Sequence, residues 1–242
     1  MSNRITIGFL SLALAIGLVL HAKDGSAEWY ADAYTGAVWT ENTDLTVTSS
    51  LGTTTTYQGL DVHNDWTAGG RVGYWLDKEK MDWLGFGLDV FFFHLKTPPG
   101  VQVGVTGTGG NTTQFAQWSL PAWGIGFDVL RLRIPLLRDK QFVHGRLQPY
   151  LAAGPTIFIT YAGQNTFVQP GGQSSTDVSL GAKLDAGATV LITKRIGAFA
   201  QYRFTHFTAD LDYQNTTPAP ATELFNTTYT THHIIAGLSL TF

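Results

Sequence analysis

The chain is 242 residues long, with 44% hydrophobic residues, only 14% charged ones and a formal net charge of −3. It has no cysteine, which excludes disulfides, thiolate chemistry and Cys-based metal sites. A mildly acidic chain of this kind gives no reason to expect nucleic acid as a partner.

At the N-terminus Arg4 precedes an apolar run from Ile5 to Leu20 and a polar stretch that ends Gly25-Ser26-Ala27. That is the layout of a secretory signal peptide: a basic n-region, an apolar h-region and a small-residue cleavage site. The run is on the short side of the roughly 20 residues a spanning helix needs, and it contains Gly8 and Gly17. Residues 1–27 are therefore expected to be a cleaved leader and residues 28–242 a single mature domain. Without the leader, 13 bases and 17 acids remain, a net charge of −4. No later apolar stretch is long enough for a membrane helix. A mature chain that crosses a membrane must then do so as a closed barrel, which also satisfies every backbone polar group in lipid.

Eight segments of alternating pattern follow, because successive side chains of a strand point to opposite faces. In the first, Trp29 to about Thr40, Trp29, Ala31, Ala33, Ala37 and Trp39 share one face and Tyr30, Asp32, Tyr34 and Gly36 the other. Two tryptophans ten residues apart on one face suit the two aromatic girdles that flank an apolar band roughly 25 Å tall. The second, Trp66 to Leu76, turns Gly70, Val72, Tyr74 and Leu76 outward and Arg71 inward. The third, Trp83 to Leu95, sets Leu84, Phe86, Leu88, Val90 and Phe92 against Gly85, Gly87 and Asp89. In the fourth, around Trp118 to Leu132, Ile125, Phe127 and Val129 oppose Gly124, Gly126 and Asp128, and the pattern blurs at Arg131 and Arg133, where a strand end or a bulge is expected.

The fifth segment runs from Gln148 to Tyr161 and the sixth from Asp177 to Thr193. The sixth fixes register best: Val178, Leu180, Ala182, Leu184, Ala186, Ala188, Val190 and Ile192 hold one face without exception, while Lys183 and Asp185 share the other. Turning that lysine toward the bilayer midplane would cost about 2–4 kcal/mol, so it points inward. The seventh, Ala198 to about Thr208, sends Ala200, Tyr202 and Phe204 out and Gln201, Arg203 and Thr205 in. The eighth runs from about Thr228 to Phe242 and places Ile234, Ala236, Leu238, Leu240 and Phe242 on one face. A terminal aromatic suits a closing strand whose outward face meets lipid.

Connections alternate in length. Segments 41–65, 96–116, 162–176 and 209–227 are rich in Thr, Gly, Asn, Gln and Pro and read as mobile external loops. Segments 77–82 and 193–197 read as tight turns and 133–147 as a longer polar one. The long loops carry Glu41, Asp44, Asp61, Asp65, Asp212 and Glu223, with Lys96 as their one clear base. No calcium-loop spacing, phosphate-cradling loop or metal-ligand cluster is present, so neither metal nor cofactor is expected. A soluble eight-stranded barrel would put its apolar residues inside, and the pattern here is inside-out.

Trp29-Tyr30, Gly69-Gly70-Arg71-Val72-Gly73-Tyr74, Leu84-Gly85-Phe86-Gly87-Leu88-Asp89-Val90, Gln148-Pro149-Tyr150-Leu151-Ala152-Ala153-Gly154, Gln201-Tyr202-Arg203-Phe204 and the closing Phe242 resemble segments of the small outer-membrane β-barrels of Gram-negative bacteria, the OmpA-transmembrane-like and opacity-like superfamily. The resemblance implies an all-β fold, an eight-stranded antiparallel up-and-down transmembrane barrel. It also implies residence in the cell outer membrane, contact with outer-membrane lipid and lipopolysaccharide, and delivery to the barrel assembly machinery through the strand ending in Phe242. The implied role is structural, surface-interacting through the external loops, or that of a minor channel.

Asp32, Arg71, Asp89, Asp128, Lys183, Asp185 and Arg203 all fall inward. Eight strands leave an interior just wide enough for side chains, and isolated buried charge is costly. An ion-pair network that plugs the lumen is therefore expected; a narrow ion-conducting path is the alternative. A further alternative comes from a subset of small barrels, the lipid A deacylases, which use a His-x-Ser pair on the lipid-facing side. His206-Phe207-Thr208 is similar to that pair, with Thr where Ser is expected, and His232 falls on the same outward face. A histidine polarising a hydroxyl is the arrangement of a hydrolytic pair.

Overall fold

The computed structural model describes residues 27–50, 52, 54–76, 81–97, 102–106, 112–115, 119–163, 174–215 and 221–242. Its strands in chain order are β1 (Ala27–Thr40), β2 (Thr43–Ser49), β3 (Thr54–Leu60), β4 (Asp65–Leu76), β5 (Leu84–Lys96), β6 (Gln102–Thr106), β7 (Thr112–Phe115), β8 (Ser119–Arg133), β9 (Leu147–Ala162), β10 (Ser175–Leu191), β11 (Ile196–Asn215) and β12 (Ala221–Thr241). Eight of these, β1, β4, β5, β8, β9, β10, β11 and β12, pair in that order, and β12 returns to β1 to close an antiparallel barrel. All eight segments read from alternation are present. The expected leader, residues 1–27, lies outside the described residues except for Ala27, which opens β1.

Exposure follows the alternation. On β10 Val178, Leu180, Leu184 and Val190 are exposed while Lys183 and Asp185 are buried. Around the barrel, Trp29, Trp83 and Phe242 stand out near the end with the short turns, and Trp66, Trp123 and Tyr161 near the end with the long connections. An apolar outer wall bounded by aromatics at both ends is the surface a bilayer requires.

One expectation needs correction. The long connections are not simple loops: β2 and β3 form a hairpin within 41–65, and β6 and β7 pair within 96–116. β11 and β12 also run on together past Thr208 and before Thr228, from the pair Thr208↔Thr228 to the pair Asn215↔Ala221. Beyond the barrel β12 takes β2 as its neighbour, and the sheet continues β12-β2-β3-β6-β7. The cause is in the residue types. Runs such as Thr54-Thr55-Thr56-Tyr57 are polar enough to resemble a loop, yet Thr is β-branched and suits an extended chain.

On β8 the blur in pattern at Arg131 and Arg133 is a bulge, one of the two outcomes expected there. Gly85 pairs with Arg131 but Gly87 with Asp128, so Phe86 faces two residues, Val129 and Leu130. This is a β-bulge, one extra residue on one strand. Val129 and Leu130 are consecutive and both exposed, whereas Asp128 and Arg131 are both buried. The same irregularity separates Gly126↔Thr156 from Leu130↔Ala153 on the other side of β8. There β9 supplies Gly154, where an added Cβ would sit 1.6 Å from the backbone oxygen of Phe127. Only glycine permits that approach. The bulge resets the parity of β8, and Arg131 and Arg133 join the inward set.

Candidate functional site

The lumen divides into two layers. Toward the short-turn end all seven inward charges lie buried within one connected group. Arg71 binds Asp32 through Nε at 2.9 Å and Nη2 at 2.6 Å, donates from Nη1 to Gln201 at 3.2 Å, and approaches Asp185 at 3.5 Å. Lys183 Nζ sits among three carboxylates, Asp128 at 2.7 Å, Asp89 at 2.8 Å and Asp185 at 3.3 Å. Arg203 donates from Nε to Asp185 at 2.8 Å, from Nη1 to the Tyr34 hydroxyl at 3.0 Å, and from Nη2 to Asp89. Tyr34 in turn donates to Asp89.

Arg131, brought inward by the bulge, completes the charge balance. It binds Asp128 at 3.2 Å and lies over the rings of Tyr150 at 4.3 Å and Tyr30 at 4.9 Å. The four aspartates Asp32, Asp89, Asp128 and Asp185 thus face four bases, Arg71, Arg131, Lys183 and Arg203. Arg133 forms its own neutral pair with Glu28 at 2.6 Å. A charge set buried this deeply is tolerable only when paired, and here the signs cancel. A small cavity lined by Tyr30, Asp32, Trp75, Arg131, Arg133 and Gln148, among others, measures about 20 Å³, room for about one water.

Toward the other end the lumen is aromatic. Phe158 and Phe207 stack with centroids 3.9 Å apart; Phe91 meets Phe158 edge-on at 6.0 Å, and Tyr229 lies 5.4 Å from Phe207. Phe93, Leu95, Leu120, Leu211 and Phe225 belong to the same buried cluster. His233 is fully buried against Phe93, its Nε2 at 2.8 Å from the Thr231 hydroxyl. The sequence signal for this layer is parity alone: Phe91, Phe93 and Leu95 continue the inward face of Asp89.

The outward polar residues sort differently from the sequence reading. His206 Nδ1 is 3.0 Å from the Thr230 hydroxyl, and Thr208 is 3.0 Å from the Thr228 hydroxyl, so each makes a hydrogen bond to the neighbouring strand. His232 has two other partners, Tyr202 at 2.5 Å on Nδ1 and Glu41 at 3.0 Å on Nε2, and Trp39 stacks on its ring at 5.5 Å. In the sequence Glu41 is only a loop carboxylate. Lys96 pairs with Asp65 at 2.6 Å. Among the described residues no group of three or more His, Asp or Glu side chains has the arrangement of a metal site.

No protein-family model matches the sequence, and no curated protein is a significant match. Solved structures do match. The outer membrane protein OprG from Pseudomonas aeruginosa aligns with a TM-score of 0.57 at 11% identity, over 90% of this chain and 96% of that one. The fold is that of an outer-membrane β-barrel. Two other alignments are the outer membrane protein AlkL, at TM-score 0.48 and 13% identity over 91% of this chain and 92% of that one, and Neisserial surface protein A, at 0.45 and 17% over 90% and 98%. The charged layer fills the half of the lumen nearer the short turns, and the aromatic layer and the sheet extension lie at the end with the long connections.

Proposed function

We propose that this chain is a resident of the outer membrane with a non-conducting lumen, and that its role is structural and surface-directed, carried by the sheet that rises beyond the barrel. The observation that carries this reading is the double closure of the lumen. An ion path through the lower half would have to break a neutral, fully paired network; one through the upper half would have to displace stacked phenylalanines. Each step is unfavourable, because a broken buried pair leaves uncompensated charge and an aromatic core is packed to the density of a solid. What is left to act on the surroundings is the outer wall, in contact with lipid and lipopolysaccharide, and the strands beyond the barrel, of which β2 and β3 carry Thr-rich runs toward surface ligands.

Purified protein in planar bilayers is expected to show no large, stable, solute-permeable conductance at neutral pH. Regular single-channel steps carrying sugars or amino acids would overturn the closed-lumen reading. The outward stripe on β12 supports a second expectation. Phe242 is exposed, and its backbone N–H donates to the Trp29 carbonyl oxygen at 2.9 Å, tying the last residue to the start of β1. Deleting Phe242 is expected to lower the amount of assembled barrel delivered by the assembly machinery. Normal membrane levels of folded, heat-modifiable truncated protein would count against that assignment.

A further inference from the structure

The connection between β8 and β9 mixes bases with exposed aliphatic side chains. It starts where the Arg133 N–H donates to the carbonyl oxygen of Trp83, one of the aromatics that ring the end with the short turns. Past that level Ile134, Leu136, Leu137 and Val143 are exposed, Leu137 at 68% and Val143 at 65%. The segment is nevertheless built. Leu136 bridges Leu147, and the Asp139 carboxylate accepts the backbone N–H groups of Gln141 and Phe142. Gly145, at φ 85°, passes so close to Leu136 that an added Cβ would sit 2.6 Å from its carbonyl oxygen. Leu137 is the one non-glycine residue with positive φ, 55°, among the described residues. An ordered segment that holds several large aliphatic side chains on the surface marks a site of interaction.

The same end gathers positive charge. Arg146 neighbours the β10–β11 turn, since the Leu191 N–H donates to the Arg146 carbonyl oxygen at 2.8 Å. That turn carries Lys194 and Arg195, both exposed, and the Thr193 hydroxyl fixes it by accepting from the N–H groups of Arg195 and Ile196. The described acids of this end are engaged elsewhere: Glu28 by Arg133, Asp82 by Arg138 and Asp139 by backbone N–H groups. Arg146, Lys194 and Arg195 have no carboxylate partner among the described residues. Above these bases the β9–β10 seam offers a path for a hydrocarbon chain. Its outward pairs are Leu147↔Val190, Pro149↔Ala188, Leu151↔Ala186 and Ala153↔Leu184, about 20 Å of strand. The last two pairs floor an open depression of about 610 Å³ in the outer wall.

Resting on the outer-membrane reading above, in which short turns face the periplasm, we propose that the seam and the bases beneath it bind one anionic glycerophospholipid of the leaflet on that side. An acyl chain lies along Ala186 and Ala188, and the phosphate group pairs with Arg146, Lys194 and Arg195. The exposed aliphatic side chains of 134–143 enter the boundary between headgroups and acyl chains beside it. Charge decides the occupant. Each base beside an anionic lipid surface strengthens attachment, and a face that joins aliphatic side chains to bases is that of an interfacial segment. A zwitterionic headgroup brings its own ammonium and would leave the three bases uncompensated. A protein docked on 134–143 by apolar contact alone would have no use for the seam above the bases.

The test uses the full mature barrel folded into vesicles of equal phosphatidylglycerol and phosphatidylethanolamine, then extracted in mild detergent for native mass spectrometry. One phosphatidylglycerol per barrel is expected to be retained in preference to phosphatidylethanolamine. Arg146→Gln and Lys194→Gln, made separately, are each expected to lower the ratio of the two lipids about fivefold, the worth of one base at an anionic surface. Ala188→Phe, which fills the seam, should lower retention of both lipids. Lys96→Gln, at the opposite end of the barrel, should change neither. Heat-modifiability on gels checks that these surface variants fold. Equal retention of the two headgroups, an unchanged ratio in both base variants, displacement of the lipid by excess inorganic phosphate, or cross-links seating a second copy of the chain on 134–146 would each overturn the site. Failure of the wild type to insert into vesicles would count against the membrane barrel itself, and so is distinguishable from headgroup-blind retention by an inserted protein.

Discussion

Arg203→Met is expected to destabilise the barrel by about 3–5 kcal/mol, the cost of removing one partner from a buried pair and stranding the other. The guanidinium serves three groups at once: Asp185, Asp89 and the Tyr34 hydroxyl. Its loss leaves four aspartates facing Arg71, Lys183 and Arg131. Lys183 cannot compensate, because its ammonium already contacts Asp89, Asp128 and Asp185. Methionine fills much of the volume, so packing loss is the minor part. Two controls separate charge from shape. Arg203→Lys keeps the charge and loses the fork that reaches two carboxylates, and should fall between wild type and Arg203→Met. The pair Arg203→Met with Asp185→Leu restores neutrality and should recover most of the loss, since a buried ion pair replaced by apolar residues of similar volume is often close to neutral. Urea titration of the folded barrel in detergent, followed by the gel shift on heating, reads all four proteins. A loss under about 1 kcal/mol in Arg203→Met would place its worth at that of a surface pair and remove the network from the account of stability.

Much of this network was legible from alternation, since a strand that buries one face allows no register but one. Lys183 and Asp185 identify themselves as inward because the lipid face of β10 is apolar at every other residue, and the same parity rule places Asp32, Arg71, Asp89, Asp128 and Arg203. At Arg131 the strict period of two breaks; the blur at Arg131 and Arg133 marks a strand end or a bulge but does not choose between them, so it does not by itself turn Arg131 into the lumen. The aromatic upper layer was hidden for a different reason. In Phe91-Phe92-Phe93 both faces of β5 are apolar, so hydropathy carries no alternation, and only counting from Asp89 assigns Phe91 and Phe93 to the lumen. Composition misled at the external strands, where Thr and Gly mark a loop by polarity and a strand by shape. Nor does any sequence period bring Glu41 to His232; closure between β1 and β12 does that.

The bulge gives the sharpest contrast between two deletions that look alike on paper. Removing Leu130 is expected to be tolerated, whereas removing Leu184 is expected to abolish assembly. After loss of Leu130 the order Asp128-Val129-Arg131 reads in, out, in, and Arg131 opposes Gly85 while Asp128 opposes Gly87 with one residue between on each strand. The ladder to β9 becomes regular by the same step, because the offset between Gly126↔Thr156 and Leu130↔Ala153 is one residue. What is lost is one exposed leucine and the bulge's local twist. Deleting Leu184 joins Lys183 directly to Asp185. Adjacent residues of a strand face opposite sides, so either the ammonium or the carboxylate must leave the network for lipid, along with every inward side chain on that side of the deletion. Lysine near the midplane alone costs about 2–4 kcal/mol, and the pairs it abandons in the lumen cost more. Expression of both variants with a heat-modifiability assay on membrane fractions reads the outcome. A folded Leu184 deletion, or a Leu130 deletion absent from the membrane, would show that β8 and β10 are not held in the registers assigned to them.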